Sequence, residues 1–210
     1  MRQAVPTVEL CIVGLFLLVP SLLVQCFGPV SPALAQSTPA KPASPTKRQP
    51  APVPEVRYGT DRLPAPVQDM REAILGAVKS GRIEELRHAW ELNELKPDLG
   101  DRPARGDPIA HWKQISGDGE GREILAALGE ILEAGYVVLP LGRDLENNRI
   151  YVWPYFAEVA LDKLTPAQEV ELLRLVTPAA LEEMRSAGTY THWRISIGAD
   201  GTWHSFRRGP

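Results

Sequence analysis

The chain has 210 residues, 44% of them hydrophobic, and carries 23 basic against 26 acidic side chains, a net charge of −3. Residues 66–210 hold 17 of the basic and 23 of the acidic groups, and that negative balance argues against a nucleic-acid partner. The only two cysteines, Cys11 and Cys26, lie within the first 35 residues, so the remainder offers no disulfide, thiol nucleophile or thiolate metal site.

Taken in chain order, the first element is an export signal. Arg2 precedes an apolar run from Leu10 to Val24, and Ala33-Leu34-Ala35 supplies small residues around a cleavage point before Gln36. This order predicts a signal peptide over residues 1–35 and a periplasmic or secreted destination. The run is shorter than the roughly 20 residues that span a bilayer, and Pro20 interrupts it, so no transmembrane span is expected after cleavage. Residues 36–65 are rich in proline, alanine, serine and lysine and are expected to form a disordered tether. Lys41, Lys47, Arg48, Arg57 and Arg62 against Glu55 and Asp61 give it a charge of +3 through Pro64. Such a segment either brushes anionic lipid or wall polymer or serves only as a solvated spacer. Residues 66–210 are then one globular domain, long enough for a real core.

Within that domain, Met70, Ile74, Leu75 and Val78 share a helical stripe that stops at Gly81. A second helix turns Ile83, Leu86 and Trp90 to one side. After a loop over 95–107, Asp107 caps a short helix with Pro108 at its first position. Ile124, Leu125, Leu128, Ile131 and Leu132 form the strongest amphipathic signal in the chain, ended by Gly135. The period then changes. Residues 136–139 and 149–153 read as strands, Thr165-Pro166 and Thr177-Pro178 open two helices, and Gln168 completes a capping box with Thr165. The chain ends in a hairpin turning at Gly198-Ala199-Asp200-Gly201, with Gly201 in the left-handed position. Unbroken alternation would put Trp193, Ile195, Ile197 and Trp203 on an apolar face, and His192, Arg194, Ser196, His204 and Phe206 on the other. The expected fold is α+β: N-terminal helices on a small antiparallel sheet that ends in a C-terminal β-hairpin.

Chemistry is harder to find. The stretch ISGDGEGREI, residues 115–124, could be an anion cradle, a calcium loop or a helix-to-helix turn. A cradle should leave a strand, and here Asp118 and Glu120 would repel a phosphate. A calcium loop would find Arg122 at its fifth position and Gly129 where a bidentate Glu belongs. A turn capped by Ser116 or Asp118 is the simpler expectation. His88, His111, His192 and His204 show no metal-ligand spacing, and no nucleophile elbow is present, so no cofactor and no metal are expected. The aromatic run Tyr151, Trp153 and Tyr155 suits either a core or, with Pro154 ending the strand, a binding surface at the sheet edge. Its charged neighbours there would be Asp118, Arg122 or Arg149.

The stretches HWKQISGDGEGREIL, YVWPYF, LTPAQEVELLRLVT and IGADGTW, spread over residues 111–206, resemble an uncharacterised family of secreted proteins from Gram-negative bacteria. The resemblance implies export and a shared fold, and no activity. The layout is also loosely similar to the nuclear-transport-factor-like cone, which hosts enzymes and binding modules alike. Two functional expectations follow. One is a non-enzymatic envelope module binding an envelope protein or cell-wall component through Trp112, Asp118, Glu120, Arg122, Tyr151, Trp153 and Tyr155. The other is an enzyme or small-ligand carrier with a polar pocket, in which at least three of His111, Asp118, Glu120, Arg122, Tyr151 and His192 converge.

Overall fold

A computed structural model describes residues 54–100, 106–142 and 148–209. The expected signal peptide and most of the expected tether lie outside these residues. Helices α1 (Ala65–Ser80), α2 (Leu86–Glu91, entered through a 3-10 turn at Ile83–Glu85), α3 (Pro108–Ile115) and α4 (Arg122–Glu133) come first. Strands β1 (Val137–Pro140) and β2 (Arg149–Trp153) follow, then helices α5 (Pro166–Leu175) and α6 (Pro178–Ala187), then the hairpin β3 (Trp193–Gly198) and β4 (Trp203–Arg208). The sheet is antiparallel throughout, in the order β1-β2-β3-β4, so the fold is α+β with a C-terminal hairpin. No helix among the described residues is long and apolar enough to cross a membrane.

Local chemistry explains the helix starts. Thr165 accepts from the Gln168 amide while the Gln168 side chain accepts from the Thr165 amide, closing the capping box. Asp107 and Thr177 cap α3 and α6 from the residue before a proline, whose missing N–H costs nothing in a first turn.

Alternation along the strands divides the core in two. Tyr151, Trp153, Ile195 and Ile197 point to one face, where they join Val67, Ile74, Leu86, Trp112 and Leu128 from α1–α4. Val137 and Val152 point to the other and pack with Leu172 of α5 and Leu181 and Met184 of α6. The sheet therefore has helices on both faces, whereas a single helical layer is the simpler reading of the sequence. Each outer edge is also occupied. Arg57 exchanges two backbone hydrogen bonds with Tyr136 just before β1, and Asp98 bonds the backbone of His204 and Phe206 on β4.

Two local results depart from the sequence pattern. Ile197 pairs with Trp203 but Ser196 pairs with Ser205, so His204 is an extra residue in β4. This bulge resets the alternation, and Phe206 faces the core fully buried rather than sharing the polar side with His204. Gly198 makes room for the displaced side chain: a Cβ there would lie 2.7 Å from His204 Nε2. Residues 54–64, compositionally part of the tether, lie against the folded unit. Leu63 is buried, and the Tyr58 hydroxyl donates to Glu171 Oε2 at 3.0 Å.

Candidate functional site

The glycine-rich stretch is a closed turn between α3 and α4. The Asp118 carboxylate accepts from the amides of Glu120, Gly121 and Arg122 at 3.2, 3.0 and 3.1 Å, and from the Ser116 hydroxyl. The Ser116 hydroxyl, followed by these amides, holds its pKa below the usual carboxylate range. Glu123 closes the turn from the other side by accepting from the Gly117 amide at 2.6 Å. Gly121 sits at φ +83°, and a Cβ there would meet Ile83 at 2.7 Å. The turn thus consumes its own acceptors. Glu120 and Arg122 point to solvent, and among the described residues Arg122 pairs with Asp118 at 3.8 Å.

The aromatic candidates are interior. Trp112 is buried, stacks on Trp203 with ring centres 5.9 Å apart, and meets Trp90 edge-on. Tyr151 and Trp153 are buried beside Tyr136. β2 is paired on both sides, so Trp153 is at no sheet edge. Tyr155 lies in the other core cluster, 4.0 Å from Phe156 between ring centres, with its hydroxyl donating to Glu171 at 3.1 Å. Burial, followed by the nearby Tyr58 and Glu171, pushes its pKa up, so Tyr155 stays a neutral donor. These four side chains form no shared surface.

The cavities lie elsewhere. The pairing of Trp193 with Arg208 brings both to the end of the β3–β4 hairpin, facing α3. There a cleft of about 400 Å³ is lined by Leu99, Gly100, His111 and Ile115, and by Trp193, Arg207 and Arg208. Among the described residues, every ionisable side chain in that lining is basic. Trp193 stacks on Phe206 at 4.6 Å and holds the Arg208 guanidinium carbon 4.6 Å from its ring centre. Glu123 stands 3.9 Å from Arg208, and Asp98 pairs with Arg207 at 3.4 Å, so the cations are offset by carboxylates outside the cleft lining.

Trp193 and Arg208 also line a second cavity of about 230 Å³, between α4 and α5. Its apolar walls are Ala126, Ala127 and Ile131 from one helix and Leu175 from the other, with Glu123, Glu130 and Arg174 also lining it. Leu175 and His192 are shared again with a third cavity of about 410 Å³ that runs toward Val176 and Ala180. His192 is half-buried, and burial, then the positive Arg208, lowers its pKa.

Of the polar-pocket candidates, then, His111 lines the first cavity and His192 its neighbours. Asp118, Glu120, Arg122 and Tyr151 line none of the described cavities, so three do not converge among the described residues. No three His, Asp or Glu side chains cluster as metal ligands would among those residues. Trp193 and Arg208 went unmarked in the sequence because two residues fifteen apart signal a site only once the bulged register is known.

Comparison with protein-family models, with curated proteins and with solved structures finds no match for this chain.

Proposed function

We propose that the folded unit is a non-enzymatic binding module of the bacterial envelope, which takes an anionic envelope component into the cleft at the end of the β3–β4 hairpin. One observation carries the reading: a concave, partly apolar cleft whose ionisable lining among the described residues, His111, Arg207 and Arg208, is basic, in a domain whose overall balance is acidic. Arg208 is the principal contact. Its guanidinium is pre-positioned by the Trp193 ring and offers a planar fork suited to a carboxylate or phosphate. Placement in the envelope rests on the signal-like first 35 residues and on the family resemblance of the later stretches. That no three of the candidate polar residues converge among the described residues favours binding over turnover.

The test is a titration followed by tryptophan fluorescence, since Trp193 lies under the site. N-acetylmuramate, phosphate and butanoate should give saturable changes, and N-acetylglucosamine and butanol should not. Arg208→Gln should weaken every anion at least tenfold without lowering the melting temperature by more than a degree or two. Equal responses to charged and neutral probes, or none to either, would overturn the proposal.

A further inference from the structure

The cleft shares Trp193 and Arg208 with the cavity between α4 and α5, which in turn shares Leu175 and His192 with the third, so the three adjoin in series. Among the described residues the hairpin end is lined by basic groups without a carboxylate. Beyond Trp193 the walls are alanine, isoleucine and leucine side chains, and the path continues past Leu175 toward Val176. The other charged groups on that stretch are Glu123, 3.9 Å from Arg208, and Arg174 and Glu130, 3.7 Å apart, so each carboxylate is offset by a cation. Two alanines on α4, Ala126 exposed and Ala127 half-buried, leave the space that larger side chains on an amphipathic helix would fill. A ligand matching this sequence of surfaces has an acidic head and a slender apolar body.

Resting on the anion-cleft reading above, we infer that the groove accommodates a single-chain anionic amphiphile. Its carboxylate would meet Arg208 and His111, and its alkyl chain would run between α4 and α5 over Ala126, Ala127, Ile131 and Leu175. Charge complementarity fixes the direction, because a chain laid the other way would put its carboxylate among aliphatic walls and leave the guanidinium beside methylenes. The alkyl part gains by leaving water, and the head supplies orientation.

A chain-length series tests this with the protein as it is. Straight-chain carboxylates from butanoate to decanoate, each below its micelle-forming concentration, are titrated by calorimetry and tryptophan fluorescence. The dissociation constant should fall about fourfold for each added methylene, the ratio that corresponds to roughly 0.8 kcal/mol per buried CH₂, until the groove is filled. Ala126→Leu, at an exposed helical position, should abolish that rise for the longer chains. Decyltrimethylammonium, with one more methylene in its alkyl chain and the opposite head charge, should bind at least tenfold more weakly than decanoate. Carboxylates that bind with one affinity at every length would overturn the amphiphile while leaving the anion cleft standing. Failure of butanoate, phosphate and decanoate alike would remove both. Equal binding of the ammonium compound, or tight binding of acidic peptides alongside a flat alkyl series, would also defeat the inference.

Discussion

The aromatic core under α1–α4 and the groove between α4 and α5 use their side chains in opposite ways. In the core, Trp90, Trp112, Trp203 and Phe206 meet at ring separations of 5.9–6.5 Å, all but Trp90 wholly buried. In the groove, alanines, one isoleucine, one leucine and one arginine on a tryptophan ring define the apolar part of the space. The residues most conspicuous in the sequence went to holding the fold, while the residues that shape a cavity are ordinary ones placed by register. A domain whose described residues carry no disulfide or metal needs large side chains for its core, which explains the allocation.

The contrast breaks first if the core proves tolerant. Trp112→Ala removes the ring that touches Trp90, Trp203 and Phe206 at once, and should cost about 3–5 kcal/mol in urea unfolding. A loss below about 1 kcal/mol would mean that the stack is not close-packed and that Trp112 is available for another role. Arg208→Gln in the groove should change stability by less than about 1 kcal/mol, the usual worth of a partly exposed cation on an aromatic ring.

Gly121→Ala asks whether the glycine-rich turn belongs to the core's side of the comparison. The added Cβ would occupy a left-handed backbone position and press on buried Ile83, so a loss of roughly 2–4 kcal/mol is expected. Gly119→Ala shares the left-handed penalty but meets nothing within 4 Å, and should cost less by the packing part alone. Equal losses at the two sites would show that contact with Ile83 is immaterial.

A smaller effect sharpens the second cluster. Tyr155→Phe deletes one of three donors to Glu171 and leaves the Tyr58 hydroxyl and the Gly135 amide in place. The expected cost is about 1 kcal/mol. Tyr58→Phe, at a ring 57% exposed, should cost less, because water can replace its hydroxyl. The reverse order would mean that docking of residues 54–64 depends on Tyr58 more than the packing suggests.

Much of the framework was legible from local rules. The Thr165–Gln168 box, the five-residue apolar stripe of α4, the strand 149–153 and the turn closed by Gly201 each follow from spacing within a dozen residues. Three features were not legible, because each depends on distant partners. The His204 bulge requires knowing what β4 faces. The second helical layer requires knowing that Val137 and Val152 pair and need a cover of their own. The groove requires α4 and α5 to lie side by side, although more than thirty residues separate their first positions. Asp118 shows the opposite case. Its setting among glycines offered both a candidate ligand site and a capped turn, and the turn, the simpler of the two, is what forms, with the carboxylate held by its own loop.

The gentlest test concerns His192, which belongs to the groove but is half-buried near Glu123 of α4, Arg208 of β4 and Arg174 of α5. Burial and the Arg208 charge lower its pKa below the ordinary 6.5, so the folded state resists the proton that the unfolded chain accepts. Between those two pKa values the unfolded chain binds more protons, and stability rises with pH across that window. The contribution is therefore complete above about pH 6.5 and declines as the solution is acidified toward the folded-state value. The urea midpoint should fall between about pH 7.5 and 5.5, and His192→Gln should flatten that slope without altering the further loss at lower pH, where carboxylates such as Asp118 and Asp200 with lowered pKa values take up protons. An unchanged slope in the variant would place the imidazole in water, and with it would go the apolar character of the groove at that point.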